Sequence, residues 1–391
     1  MNLFRSGKLL QGRQRGVALL MVLALLTLLG SVVADFQYNS HVDFQLAVNA
    51  RDELQAEYNA MSALRLRALL LRQATKVQGA LGTLFQAIGG AAGAVPPIGA
   101  VLEMIPVECG LMSMITRRVE ASVEDDGERE DFFRGECLAT STSEHAKISL
   151  NMLGNHLQNR DQQVASLLLG LLSDPRLEEH FEEDDLMGDH AESPQELVGA
   201  ITDWVDADHT QAVSTVVDED RHYDMLRDSY KAKNAPFDSL EELQLVHGVD
   251  DALFAILRDH VTIYNDSTQI ELGTASDYQI FLGLAASLRD NVGPEALFLG
   301  PGFLALRQGM LQMRALSGGM LSLKVGTLRE LVREAGLDGV IDSRKLGQVF
   351  SDKSSTTWYT LSAQGRLGNA SRRITAVFQA SEGQFYYFRI E

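Results

Sequence analysis

Residues 13–33 read RQRGVALLMVLALLTLLGSVV, two arginines and a glycine followed by a long apolar run. From Val17 to Ala34 there is no charge, and only Thr27 and Ser31 are clearly polar. A helix of that length spans roughly 27 Å at ~1.5 Å per residue, about the thickness of a bilayer's hydrocarbon core. A cleaved secretion signal has a shorter apolar stretch of about 7–15 residues ending in a small-x-small site. Gly30-Ser31-Val32-Val33-Ala34 is a poor site of that kind. Arg13 and Arg15 stand directly before the run, which keeps the N-terminus in the cytoplasm and sends the rest of the chain outward. The segment reads as a single-pass anchor.

Composition agrees with an anchor carrying a globular body. The chain has 391 residues, 45% hydrophobic and 22% charged, enough for two or three domains with a real core. Net charge is −19; the first 34 residues hold four positive residues and no acid, so the remainder carries −23. That balance repels nucleic-acid backbones and favours cations, basic protein surfaces or solubility. Cys109 and Cys137 are the two cysteines. In an oxidising compartment one disulfide is the simplest state, and two separate thiols are the alternative.

Beyond Ala34 the helical pattern continues, with no proline before Pro96. Leu54, Tyr58, Met61, Leu64, Ala68 and Leu71 recur at spacings of three and four, predicting one apolar stripe. Arg51, Glu53, Glu57, Arg65 and Arg72 take other faces. The expectation is one helix from Val17 to about Gln78, on the order of 90 Å long, fit for lipid in its first third and for a globular domain beyond.

That architecture resembles a type IV pilin or pseudopilin. The leader MNLFRSGKLLQGRQRG is short, basic and ends in glycine, like a prepilin-peptidase site with cleavage between Gly16 and Val17. Most such proteins place glutamate at the fifth mature position, where this chain has Met21. One branch lacks that glutamate, and the downstream sequence resembles it: the minor pseudopilin K of type II secretion. The likeness lies in HAKISLNML (145–153), LVGAITDWVDAD (197–208), VDEDRHY (217–223), KNAPFDSLEELQLVHGV (233–249) and IELGTAS (270–276), in order along the chain. The glycine expected before the Glu219 position is absent, IELGTAS keeps only part of the pattern, and 79–105 is extra.

The resemblance implies an α+β fold: a pilin-like long N-terminal helix on an antiparallel sheet, with a large all-α domain inserted. The expected divisions are a leader (1–16), an anchor and spine (17–34), its amphipathic continuation (35–78), a Gly/Ala-rich loop (79–105), the first part of the pilin-like αβ domain (106–155), an inserted helical domain with an acidic loop (156–290), a linker or insertion (291–320) and the return to the sheet (321–391). LMSMITRRVEASVED and HAKISLNM read as β segments. RRITAVFQAS and FYYFRIE, joined by the turn EGQ, read as a hairpin around Glu382-Gly383.

Between Arg176 and Arg221 there are fifteen Asp or Glu residues and no Lys or Arg. Glu178–Asp189 reads as a solvated acidic face. Asp203, Asp206 and Asp208 flank Trp204, and Asp218, Glu219 and Asp220 follow ten residues later. Clustered carboxylates on a loop are what Ca2+ takes, with ~6–8 oxygens, although the spacing is not that of an EF-hand. The resemblance implies calcium, with Asp206, Asp208, Glu219 and Asp220 as ligands and Asp203 pairing within its helix.

LVHGVDDALFAILRDHV (245–261) resembles half of a helix-hairpin-helix. Asp250 and Asp251 occupy the place where phosphate would sit, so the reading is a structural hairpin and no nucleic acid. The nine histidines are scattered, and there is no HExxH, G-x-S-x-G or P-loop, so the chain does not read as an enzyme. The expected function is a minor pseudopilin at the tip of the secretion pseudopilus, initiating or capping the filament. Its expected partners are the other minor pseudopilins, the major pseudopilin, prepilin peptidase and the inner membrane, with the bulk of the chain periplasmic. The alternatives are a membrane-anchored calcium-binding or adhesion protein, or a minor pilin of a type IV pilus.

Overall fold

The protein was analysed as a computed structural model that describes residues 11–87, 102–103, 105–110, 134–156, 159–182, 191, 193–212, 219–316, 323–352 and 357–391. Helix α1 (Gln11–Ala87) runs unbroken for 77 residues, about 115 Å at ~1.5 Å per residue. It passes straight through Gly16 and Gly30, and its apolar stretch from Val17 is solvent-facing on every side. Burial begins only in the second half, where Ala56, Ala60, Ala63, Leu64, Arg67, Ala68 and Leu71 meet the sheet.

This stripe differs in part from the expected one. Leu64, Ala68 and Leu71 face the sheet as expected, with Met61 packed beside them. Leu54 and Tyr58, however, are 55% and 61% exposed, and Ala56, Ala60 and Ala63 take the places nearest the strand. The cause lies across the interface. A Cβ on Gly365 would stand 2.0 Å from the Ala56 carbonyl oxygen, so the helix lies backbone to backbone on the strand. At that distance only small side chains fit. Residues 79–87, expected as loop, are helical as well.

The sheet has five antiparallel strands in the order β1-β2-β7-β8-β9: β1 (Val107–Glu108), β2 (Glu136–Ser143), β7 (Trp358–Leu367), β8 (Ala370–Gln379) and β9 (Gln384–Ile390). Strict alternation along β2 and β7 puts Cys137, Ala139, Tyr359, Leu361 and Ala363 under α1. β8 and β9 form the hairpin around Glu382-Gly383. Cys109 on the β1 side and Cys137 on β2 are joined by a disulfide. The stretch 111–125, expected as strand, lies outside the described residues.

Between β2 and β7 the chain leaves the sheet for more than half its length. This insertion holds α2 (Arg160–Leu172), α3 (Glu178–Glu182), α4 (Pro194–Val205), α5 (Arg221–Asp224), α6 (Asp251–Leu257), α7 (Asp277–Ala286), α8 (Glu295–Phe298), α9 (Pro301–Leu316), α10 (Val325–Glu334) and α11 (Ser343–Val349). Two parallel strand pairs brace it: β3 (Ile148–Ser149) with β4 (Val261–Thr262), and β5 (Ile270–Glu271) with β6 (Phe350–Ser351). HAKISLNM therefore contributes only a two-residue strand, paired inside the insertion and flanked by 3-10 turns at 144–146 and 150–152.

The helical body extends further than expected. Residues 291–320, read as linker from their Gly and Pro content, carry α8 and α9, and Leu297, Leu306 and Met310 are buried in the helical core. Pro301 opens α9, a position where a missing N–H costs nothing. Of 321–391, the portion through Val349 also belongs to this core through Leu328, Val332 and Leu346, and the sheet resumes only at Trp358.

Candidate functional site

The acidic loop hangs from the C-terminal end of α4. Ser193 caps that helix by accepting the Glu196 N–H at 3.2 Å, and Pro194 opens it. Its apolar face buries Leu197, Ile201, Trp204 and Val205. Trp204 lies against Tyr223, Tyr230 and Phe237 with ring centroids 5.7, 6.3 and 6.5 Å apart. This aromatic floor fixes where the carboxylates above it stand.

Asp203, on the last turn, is buried and accepts the Ala212 N–H at 2.7 Å. Asp206 ends the helix and is also buried. Asp208 accepts the Thr210 N–H at 2.8 Å, and the chain returns with Glu219, which is only 4% exposed. From a distant loop, Asn234 donates to the Asp208 carbonyl at 2.8 Å. Asn234 holds its backbone at φ 49°, a left-handed conformation that asparagine tolerates.

Among the described residues, these donors leave Asp206 Oδ1, both Glu219 carboxylate oxygens and Asn234 Oδ1 buried without a hydrogen bond of good geometry, the Asn234 side chain being the nearest polar group to Glu219. A buried acceptor in that state costs about 1–3 kcal/mol, more when charged. Burial pushes the Asp203 carboxyl up to about 7, opposed by the Ala212 N–H and reinforced by Glu219, Asp206 and Asp208. Glu219 is pushed up to about 7 by burial and then by Asp206 and Asp208. Asp206 is raised by burial and by Asp208. Like-charged, desolvated carboxylates with unsatisfied oxygens form a site that a hard divalent cation would complete, and the donor set fits one.

Of the four residues expected as ligands, Asp206, Asp208 and Glu219 converge. Asp220 turns elsewhere: its carboxylate takes Lys231 Nζ at 2.8 Å and the Ala232 N–H at 3.1 Å. It anchors the following loop and is held below the usual carboxylate range by Lys231. Asp203 faces the cluster, and Asn234 and His156 join from outside the acidic stretch. His156 offers a ring nitrogen within 4.8 Å of Asp206 and Asp208 ligand atoms. Asn234 sits in KNAPFDSLEEL, a stretch marked by its likeness, but nothing local aims it at a loop some 26 residues earlier.

The second functional feature is α1 itself. Among the described residues one helix is long and apolar enough to cross a membrane, with a mean hydropathy of 2.7 in its N-terminal window.

A long helix with a bare, apolar N-terminal stretch, laid on an antiparallel sheet split by a helical insertion, is a pilin-like fold with an added domain. Residues 146–266 match the family model described as type II secretion system (T2SS), protein K. A type II secretion system protein K from Klebsiella pneumoniae is 26% identical over 263 residues, 67% of each chain. One from Pectobacterium carotovorum subsp. carotovorum is 23% identical over 185 residues, 47% of this chain and 50% of the relative. A crystal structure of the GspK-GspI-GspJ complex from enterotoxigenic Escherichia coli aligns with a TM-score of 0.44 and 17% identity, covering 66% of this chain and 78% of that one. The chain is thus similar to type II secretion system protein K, through 146–266 in the family model and over two thirds of its length in the Klebsiella pneumoniae relative.

Proposed function

We propose that this chain is a minor pseudopilin of type II secretion that occupies the tip of the pseudopilus, where it initiates and caps the filament. The observation that carries the reading is where the insertion leaves the sheet. Gly365 lies under Ala56 and Arg67 bonds Ser141, so the ladder from Glu136–Arg366 to Ser143–Tyr359 climbs along α1 away from its apolar end. The helical domain departs after Ser143 and returns before Tyr359, at the end of the sheet remote from the membrane. A body of that size above the sheet blocks the place where a further pilin-type subunit would sit.

Met21 supports the same place. A glutamate at that position balances the N-terminal ammonium of a neighbouring subunit in hydrocarbon, and methionine cannot. A subunit with nothing ahead of it needs no such partner. In this reading prepilin peptidase cuts between Gly16 and Val17, and the new N-terminus is methylated. The chain is held in the inner membrane by Val17–Ala34, with its bulk in the periplasm. The partners are the other minor pseudopilins and then the major pseudopilin, and the role is structural rather than enzymatic. The oxygen-lined acidic loop holds Ca2+ through Asp206, Asp208, Glu219 and Asn234, with Asp203 beside them; the ion would neutralise their charge and fix α4 to the loops that follow.

Co-expression with the other minor pseudopilins, followed by detergent extraction and affinity capture, tests the assembly. Recovery of a stoichiometric complex, with mass spectrometry showing a mature chain that begins at Val17, is the expected result. An intact Met1 and a monomeric chain would point to a plain anchored protein instead.

A further inference from the structure

Near the start of α4, at the other end from the acidic loop, three side chains of a different chemical type converge. Glu196 stands in the first turn of α4, His222 on α5, and His247 in the turn after the 3-10 helix Leu240–Leu245. One ligand atom from each lies within 4.8 Å of the other two, and all three residues are partly exposed, so an ion can reach them. The two imidazoles are stacked, centroids 3.9 Å apart and 17° from parallel. No acidic cluster is involved: the set is two nitrogens and one carboxylate.

The backbone holds these three in place. α4 is capped at Ser193, which sets the direction of Glu196. The His247 N–H donates to Tyr223 Oη at 3.3 Å, tying the turn to the residue next to His222. Gly248 follows at φ +83°, pressed on Ala191 where a Cβ would come within 2.7 Å of that methyl. The turn therefore cannot shift without losing this contact.

We propose that Glu196, His222 and His247 form a second metal site, selective for a borderline divalent transition ion of which Zn2+ is the type. Imidazole suits Zn2+, Cu2+ and Ni2+, whereas Ca2+ takes oxygen. A tetrahedral Zn2+ at about 2.0–2.1 Å from its ligands needs them roughly 3.3 Å apart. The ligand atoms already lie within 4.8 Å of one another, and the two imidazoles would turn out of their stack so that both in-plane lone pairs converge on the ion. Three protein ligands leave a fourth position for water. The ion would clamp the start of α4, α5 and the 246–249 turn, the three segments that frame the aromatic floor under the acidic loop. The site depends neither on calcium in that loop nor on a place at the filament tip.

The test uses the full chain in detergent, without a polyhistidine tag, stripped by chelator and then kept in millimolar Ca2+ so that the acidic loop is saturated throughout. Zn2+ is titrated against a chromophoric chelator, and Co2+ serves as the spectroscopic probe. The expected result is one Zn2+ per chain, not displaced by Ca2+, and Co2+ bands of the intense four- or five-coordinate kind. His222→Ala with His247→Ala should weaken Zn2+ by at least about tenfold, while Asp206→Ala leaves it unchanged. Glu196→Gln, which keeps side-chain shape, should weaken it as well and guards against misfolding of the histidine variant. The proposal is overturned if the wild type takes up no Zn2+, or if the double variant retains it. It is equally overturned if Asp206→Ala abolishes uptake, which would put the ion on His156, Asp206 and Asp208.

Discussion

Arg67 heads the largest side chains with no solvent exposure, and it sits between α1 and the sheet. Its guanidinium donates to Ser141 Oγ at 3.0 and 2.7 Å, to the Ile105 carbonyl at 2.6 Å and to the Leu102 carbonyl. Nothing in ALRLRALLLR distinguishes it from exposed Arg65 and Arg72, because its partners lie 35 or more residues away. Beside it, Glu103 is pushed up to about 8 by burial and then by Glu271 of the helical domain, against the lowering pull of Arg67 and the Ser143 N–H. The native carboxyl thus keeps its proton to higher pH than the unfolded chain does, so between about 4.5 and 8 the native state binds more protons. Stability must then fall as pH rises through that window and level off above it. At about 1.4 kcal/mol per pH unit the loss is a few kcal/mol. Melting curves from pH 5 to 9 should show Glu103→Gln flattening this decline; a variant that parallels the wild type would refute the assignment. In the acidic loop, Glu219→Gln removes a buried charge whose oxygens have no well-formed hydrogen bond among the described residues. Without Ca2+ that variant should melt above the wild type, and with Ca2+ it should gain less. A wild-type gain of about 2.7 kcal/mol is expected at a hundredfold excess over the dissociation constant. Equal Ca2+-dependent shifts in both proteins would remove Glu219 from the ligand set.

At the scale of elements, the close contact of α1 with β7 controls the pilin-like body. Gly365→Ala drives a methyl against the Ala56 carbonyl oxygen and the Ala60 nitrogen, both backbone atoms that cannot rotate away. The cost should be about 1–3 kcal/mol or more, read as a lowered unfolding midpoint of the sheet. The Ca2+ response of the helical domain should survive, since its carboxylates hang from α4; if that response disappears, the two bodies are more tightly coupled than their separate cores imply. This contact also explains what the sequence did and did not reveal. The length and polarity of α1 were legible, because periodicity is local. Its buried face was legible in Leu64, Ala68 and Leu71 but not nearer the apolar end, because Leu54 and Tyr58 fit a stripe equally well and the choice of alanine there is made by a glycine some 300 residues away. The β8–β9 hairpin was legible from its alternation and its glycine turn. α8 and α9 were hidden by glycines and prolines that normally end elements, and α10 was missed although Leu328, Leu331 and Val332 give VGTLRELVRE a clear amphipathic period. In the acidic loop, Asp206, Asp208 and Glu219 were legible as neighbours in sequence. Asn234 and His156 were not, since tertiary folding alone brings them there.

For the whole molecule, the insertion and the sheet should be separable. Ser143 and Tyr359 are directly paired at the end of the β2–β7 ladder, so the chain leaves and re-enters at adjacent positions. Hairpin loops of about 2–5 residues close such a pair. Replacing 144–357 with Thr-Asn-Gly, the threonine opposite Trp358 and Asn-Gly as a two-residue turn, would therefore keep the Ser143–Tyr359 register and leave β2 and β7 as an ordinary hairpin within the five-stranded order. The sheet keeps its own core under α1, built from Leu64, Leu71, Leu361, Ile374, Ala376 and Phe378. Glu103 loses its Glu271 neighbour, which relieves one buried repulsion. Against this, Trp358 loses its stack with Tyr264 at 5.8 Å but keeps Tyr386 at 4.7 Å, and Tyr387 loses Glu241. The shortened chain should remain membrane-anchored and fold to a protease-resistant sheet, with circular dichroism showing the helical signal reduced to that of α1. Its effect on assembly tests the proposed capping role. With the cap removed, the variant should still be recovered with the other minor pseudopilins, yet filaments nucleated on it should lose their defined end. A variant that folds and supports normal assembly would show that the helical domain serves something other than capping, whereas one without a protected sheet would show that the two bodies fold as one.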